Sequence, residues 1–229
     1  MSLADDLTER VHRMLSTEWT VRNARTVPTL RTLSLKNQAA RFMGTVLYAD
    51  LADSTGLVDA RDPHFAASVY KSYLLCAGRI VRSQNGAITA YAGDRIMAVF
   101  RGSAQWTKAA KAALQLNWAR DEILNPALKE RFPREEYMVN HTIGIDSSML
   151  FATAAGVPGA RDLVWVGRAA NYAAKLSALP SPPPVWITWD VYSHLEASLR
   201  TQGEPIWEEA EWSARPGVRV FTSEWRWHL

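Results

Sequence analysis

Two hydrophobic periods run through this chain, and the switches between them outline its elements. Leu3, Leu7, Val11, Met14 and Leu15 recur at three- and four-residue steps, which predicts an amphipathic helix over residues 2–16. Residues 17–35 follow neither period and contain Pro28, so they are expected to be irregular. Leu35 to Phe42 reads as a short helical stretch. It leads into an apolar, β-branched run, Gly44 to Asp50, the first predicted strand. A helix is predicted over 64–83, with Phe65, Val69, Tyr73, Cys76 and Ile80 on one face. Residues 87–92 and 96–101 read as two strands of a hairpin turning at Gly93-Asp94. An Ala-rich helix follows toward Leu124, with Ser103 as its expected N-cap.

Beyond it the chain reads as strands at 138–146 and Leu163–Val166, separated by a Gly/Pro loop, and then a helix from Arg168. A strand at Val185–Thr188 follows three prolines; a helix over 190–199 and strands near 206–212 and 218–225 complete the pattern. The opening order is β-α-β-β-α-β. The expected fold class is therefore α+β, a ferredoxin-like βαββαβ core with additional strands and helices. Residues 1–43 are expected to form an N-terminal helical extension packed on the domain or on a partner chain, and 44–229 the main domain.

Composition narrows the picture. A chain of 229 residues, 48% hydrophobic, has the length and apolar content for one domain with a full core. The net charge is +3, without a Lys/Arg stripe, which argues against nucleic acid and suits a small polyanionic substrate. Cys76 has no cysteine to pair with, so a buried, reduced thiol and a cytoplasmic location are expected. No apolar run reaches the roughly 18 residues of a membrane span, and the N-terminal residues are acidic and polar, unlike a signal peptide.

The candidate chemistry lies at strand ends. Asp50 closes the first strand and Asp94 the hairpin turn. Each has a plain structural reading, Asp50 as a helix cap and Asp94 as a turn residue. In the β-α-β-β order, however, the first strand lies beside the hairpin and brings both carboxylates to one sheet edge. Two carboxylates that close repel unless a cation lies between them. The helix start at Asp53, Ser54 and Thr55 offers free backbone N–H groups to phosphates. Together these read as a nucleoside triphosphate site working with metal ions. Further on, Asn171 and Lys175 lie four apart and share one face of the predicted helix, whose alanines would allow close backbone approach.

Three segments resemble the class III nucleotidyl cyclases: Tyr48-Ala-Asp50-Leu-Ala-Asp53-Ser-Thr55, Gly93-Asp94 with Met97-Ala-Val-Phe100, and Gly167-Arg-Ala-Ala-Asn171-Tyr-Ala-Ala-Lys175. The resemblance implies a head-to-tail homodimer with active sites at the interface. It implies two divalent metal ions, Mn2+ or Mg2+, on Asp50, Asp94 and the carbonyl of Leu51. It also implies a ribose contact from Asn171 of the other chain and transition-state charge stabilisation from Lys175, where the family has arginine. The departures concern the base. The positions that read a purine edge in the family are Ala90 and Val164 here, and the family's phosphate-binding Arg is Thr142; the resemblance assigns no replacement for it, with His141 or Arg95 as the neighbouring alternatives. Ala90-Tyr91-Ala92 resembles the Tyr-containing segment of the pyrimidine cyclases of bacterial Pycsar antiphage systems. That likeness implies a base pocket of Ala90, Tyr91 and Val164, a UTP or CTP substrate, and a cyclic UMP or cyclic CMP product read by a separate effector. An adenylate or guanylate cyclase with an altered pocket, and a non-catalytic nucleotide-binding or dimerisation module, are the alternatives.

Overall fold

The computed structural model describes residues 2–229. Its centre is a mixed sheet. The strands are β1 (Thr20–Asn23), β2 (Gln38–Leu51), β3 (Ala87–Ala92), β4 (Arg95–Phe100), β5 (His141–Val157), β6 (Ala160–Val166), β7 (Val185–Thr188), β8 (Glu208–Ala210) and β9 (Val220–Ser223). The order β3-β4-β2-β5 is that of the ferredoxin-like unit, and β7, β9 and β8 extend it. β1 pairs in parallel with the start of β2, and β6 folds back on β5. The helices are α1 (Leu3–Ser16), α2 (Ser54–Ala60), α3 (Pro63–Ser83), α4 (Gln105–Ala119), α5 (Asn125–Arg131), α6 (Arg168–Leu176) and α7 (Trp189–Tyr192).

Alternation along β2 divides the molecule. Leu47, Ala49 and Leu51 face a core covered by α3 and α4, with Phe65, Val69, Tyr73 and Ile80 from α3 as expected; Cys76 is only half-buried at its margin. Val46 and Tyr48 face a second core with Ala152, Ala169, Ala170 and Ala173, roofed by Ala24, Leu33 and neighbours from the segment before β2. Alanines on α6 permit close approach to β5: a Cβ on Gly144 would stand 2.2 Å from the Ala173 carbonyl oxygen.

Several elements differ from the sequence reading. Leu35–Phe42 is not helical. From Gln38 it is part of β2, because β1 and β5 supply hydrogen-bonding partners on both sides. Residues 17–35 contain the short strand β1. Ser103 does not cap α4. The helix starts at Gln105 after Ala104 in a left-handed conformation, runs to Ala119, and continues through a π-helical turn at Arg120–Leu124 into α5. The helix expected over 190–199 is α7 followed by a single 3-10 turn at Ala197–Leu199. Helix α1 forms as predicted, with a Ser2 capping box, but buries none of its residues on this chain.

Candidate active site

The site lies where β2 ends beside the β3–β4 hairpin. β2 and β4 are antiparallel, with Ala49 opposite Ile96, so Asp50 stands next to Arg95 and the turn residue Asp94. The Arg95 guanidinium bonds the Asp50 carboxylate directly. Burial raises the Asp50 pKa; Arg95 opposes this, and Asp94 adds to it by like-charge repulsion. Asp94 Oδ2 is buried with no hydrogen-bond partner. A bare buried carboxylate oxygen is costly unless something absent from the chain completes it. Hard oxygen donors of this kind suit Mg2+ or Mn2+. Among the described residues no group of three or more His, Cys, Asp or Glu could hold a metal ion. The side chains therefore offer a two-carboxylate set rather than a closed cage.

Asp53 adopts a left-handed conformation at the N-terminus of α2 and makes no side-chain cap bond. Its carboxylate folds over the first turn, 2.7 Å from where a Gly56 Cβ would stand. Asp53 itself brings negative charge to the same end.

The structure does not bring the three expected base-pocket residues together in one chain. Ala90 packs beside the second core. The Tyr91 hydroxyl lies against Gly78 of α3, on the opposite side of the sheet. Strand β3 continues through Tyr91 to Ala92, so Tyr91 and Ala90 point to opposite faces. Val164 is exposed on β6, pointing away from the side on which Leu163 and Trp165 pack. The aromatic that does share the Ala90 row is Tyr48. Tyr48 pairs with Met97 and Met97 with Ala90, and on its other side Tyr48 pairs with Gly144 under α6. Cross-strand partners share a face, so Ala90, Met97 and Tyr48 form one strip, two residues from Asp50. Burial raises the Tyr48 pKa and the nearby Arg95 lowers it. The Tyr-x-Asp spacing was a signal that could have pointed to Tyr48.

The polar candidates on β5 have structural partners. The Thr142 hydroxyl donates to the Leu179 carbonyl at 2.9 Å. His141 is wholly buried on the α3/α4 side, where it cannot reach a phosphate. Asn171 and Lys175 are exposed on α6, while Ala169, Ala170, Ala173 and Leu176 bury its other face. Neither is hydrogen-bonded to Asp50 or Asp94 of the same chain.

This architecture is shared with solved cyclases. A guanylyl cyclase, Cya2, superposes with a TM-score of 0.68 at 16% identity, covering 80% of this chain and 91% of that one. The adenylyl cyclase CyaB from P. aeruginosa superposes with a TM-score of 0.64 at 20% identity, covering 81% of this chain and 95% of that one. The fold is that of the class III nucleotidyl cyclases. No family model matches the chain. A uridylate cyclase of Xanthomonas perforans is 43% identical and covers 100% of both chains. A uridylate cyclase of Burkholderia cepacia is 41% identical over 99% of each. The chain belongs to the uridylate cyclase family.

Proposed function

We propose that this protein converts UTP to 3′,5′-cyclic UMP and pyrophosphate, as a homodimer with its active sites at the interface. One observation carries the reading: on the sheet edge of a cyclase fold, Asp50 and Asp94 converge and a buried Asp94 oxygen has no partner within the chain. Asp50, Asp94 and the Leu51 carbonyl would hold two divalent cations, Mg2+ or Mn2+. Bound there, the cations make the 3′-hydroxyl more acidic and offset the triphosphate charge. The amides at Ser54 and Thr55 bind phosphate oxygens at the start of α2. The partner's Asn171 orients the ribose, and the partner's Lys175 meets developing negative charge as a point cation, without the planar fork of an arginine.

The base is selected by the Ala90–Met97–Tyr48 strip. It offers no amine or carboxylate to a purine edge. An unmatched buried donor or acceptor costs about 1–3 kcal/mol. Tyr48 adds bulk where a second ring would lie, and its hydroxyl can bond a pyrimidine edge. Tyr91 is not part of this pocket. The likeness to uridylate cyclases favours UTP over CTP, and a diffusible cyclic pyrimidine nucleotide suits an antiphage signal read by a separate effector. Competition among the four ribonucleoside triphosphates at equal concentration with Mn2+ tests the reading. Cyclic UMP should dominate. Dominant cyclic CMP would move the substrate to CTP, dominant cyclic AMP or cyclic GMP would overturn the pocket, and no cyclic product would leave a non-catalytic module.

A further inference from the structure

The helix that carries Asn171 and Lys175 is clamped by charge at its first residue. Arg168 opens α6, three residues before Asn171 and seven before Lys175, so the three share one stripe of the helix. A cation in the first turn is disfavoured by the helix dipole. Here two carboxylates hold it. Arg168 Nε donates to Asp146 Oδ2 at 3.0 Å, and Nη2 reaches Oδ1 of the same carboxylate at 3.3 Å. Such two-pronged pairing fixes direction as well as distance. Nη2 also donates to the Ser147 carbonyl at 2.7 Å and to the Asp190 carboxylate of α7. The guanidinium lies over the Tyr172 ring, 5.6 Å from its centroid.

The anchor is rigid. Asp146 is wholly buried. It pairs across the sheet with Val46, which faces the core that α6 covers, so its side chain lies on the helix side. Thr188 of β7 donates to the same carboxylate. Burial pushes the Asp146 carboxyl up, and the bonds from Thr188 and Arg168 oppose this. Two residues along the same face of β5, the Ser148 hydroxyl accepts from the Ala169 N–H at 2.9 Å, in place of the side-chain cap that Gly167 lacks. Helix α6 is thus tied to β5 at Asp146, Ser147 and Ser148, and to α7 at Asp190. Its buried face is mostly alanine, Ala169, Ala170 and Ala173, which lets the backbones come close but offers little relief against rotation about the helix axis. The planar fork of Arg168 supplies that constraint. Rotation decides where Asn171 and Lys175 point.

We propose that Arg168 is a positioning residue of the cyclisation reaction: clamped to Asp146 and Asp190, it fixes the rotation of α6 and so aims Asn171 and Lys175 into the site of the other subunit. The inference rests on the shared-site reading above. The test uses the full-length Arg168→Gln protein, with circular dichroism as the check of folding and Arg168→Lys, which keeps the charge but not the fork, as the second variant. Either should lower kcat for cyclic UMP by about a hundredfold, the scale of a misplacement of about 1 Å. Mn2+ binding, followed by electron paramagnetic resonance, should stay at the wild-type level, because the carboxylates lie on other elements. Mixed with inactive Asp50→Ala, the variant should recover roughly a quarter of wild-type activity, since one site of each mixed dimer then has an intact α6 and intact carboxylates. Mixed with Asn171→Ala it should recover none, since both sites then carry a faulty α6. Wild-type kcat in a folded variant would overturn the proposal. So would weakened Mn2+ binding, or failure to complement Asp50→Ala while Asn171→Ala does complement it. If Asn171→Ala and Asp50→Ala themselves fail to complement, the shared site on which the proposal stands is overturned instead.

Discussion

Asp50 is a carboxylate held where a carboxylate is disfavoured. Burial raises its pKa, and Arg95 only partly offsets the effect. A carboxyl with a raised folded pKa binds its proton more tightly folded than unfolded. Its ionisation therefore weakens the fold as pH rises through the folded value, and the loss is relieved at lower pH. Asp50→Asn should accordingly be at least as thermally stable as wild type at pH 7 without metal, with the difference in Tm shrinking as pH falls toward 4. The same variant should lose at least about a hundredfold in cyclase activity, since even groups behind a metal ligand contribute about 10–100-fold. A fluorescence melt and a product assay check the two halves. Both acidic residues were legible in the sequence, because a carboxylate at the end of an apolar run and a Gly-Asp turn are local signals. The sequence alone does not mark Tyr48 as the aromatic in the Ala90 row. Which aromatic joins Ala90 depends on the register of three strands and on the irregularity between Ile88 and Ala90.

At the scale of elements, α6 is seated by one missing side chain. The Gly144 Cα faces the α6 backbone so closely that a methyl group would meet the Ala173 carbonyl oxygen, the Leu176 Cβ and the Ser177 nitrogen, all within 2.6 Å. Gly144→Ala should therefore lift the helix that carries Asn171 and Lys175. Overpacking of this kind costs about 1–3 kcal/mol, measurable as a lower urea midpoint, and activity should fall with stability. A variant with an unchanged midpoint would mean that α6 is not packed on β5 at this residue. Among the elements legible in the sequence were those with a strong local period, α1, α3 and the β3–β4 hairpin, and those set off by sharp boundaries, β7 after its prolines and α6 from Arg168. Gln38–Phe42 misled because Gln-Ala-Ala-Arg has helix-forming character, while its strand state comes from β1 and β5 on either side. The π turn at Arg120–Leu124 and the left-handed Ala104 leave no clear mark in sequence either.

On the proposed reading, the site is completed only when a second copy is added. The carboxylates lie at one sheet edge, while Asn171 and Lys175 face solvent on α6. If a second copy supplies them, mixing inactive Asp50→Ala and Asn171→Ala proteins should restore activity, because each mixed dimer keeps one site with both halves intact. Random exchange in a two-fold assembly predicts roughly a quarter of wild-type activity. No recovery, with subunit exchange confirmed by mass spectrometry, would sink the shared site. Helix α1 forms where its period placed it and keeps Leu3, Leu7, Val11, Met14 and Leu15 in solvent on this chain, so of the two packings expected for the extension, on the domain or on a partner chain, this chain does not supply the first for that face.

The Arg95–Asp50 pair sets the terms on which the site can fill. Arg95 is a counter-ion on a tether, one residue from Asp94 and already bonded to Asp50. Tethered groups act at effective concentrations of roughly millimolar or more. On the proposed metal reading, a cation arriving at Asp50 would compete with a resident charge that cannot be diluted away and would gain only the difference. Half-occupancy would then need more free divalent ion than a bare pair of carboxylates would, and Arg95→Ala should lower that concentration.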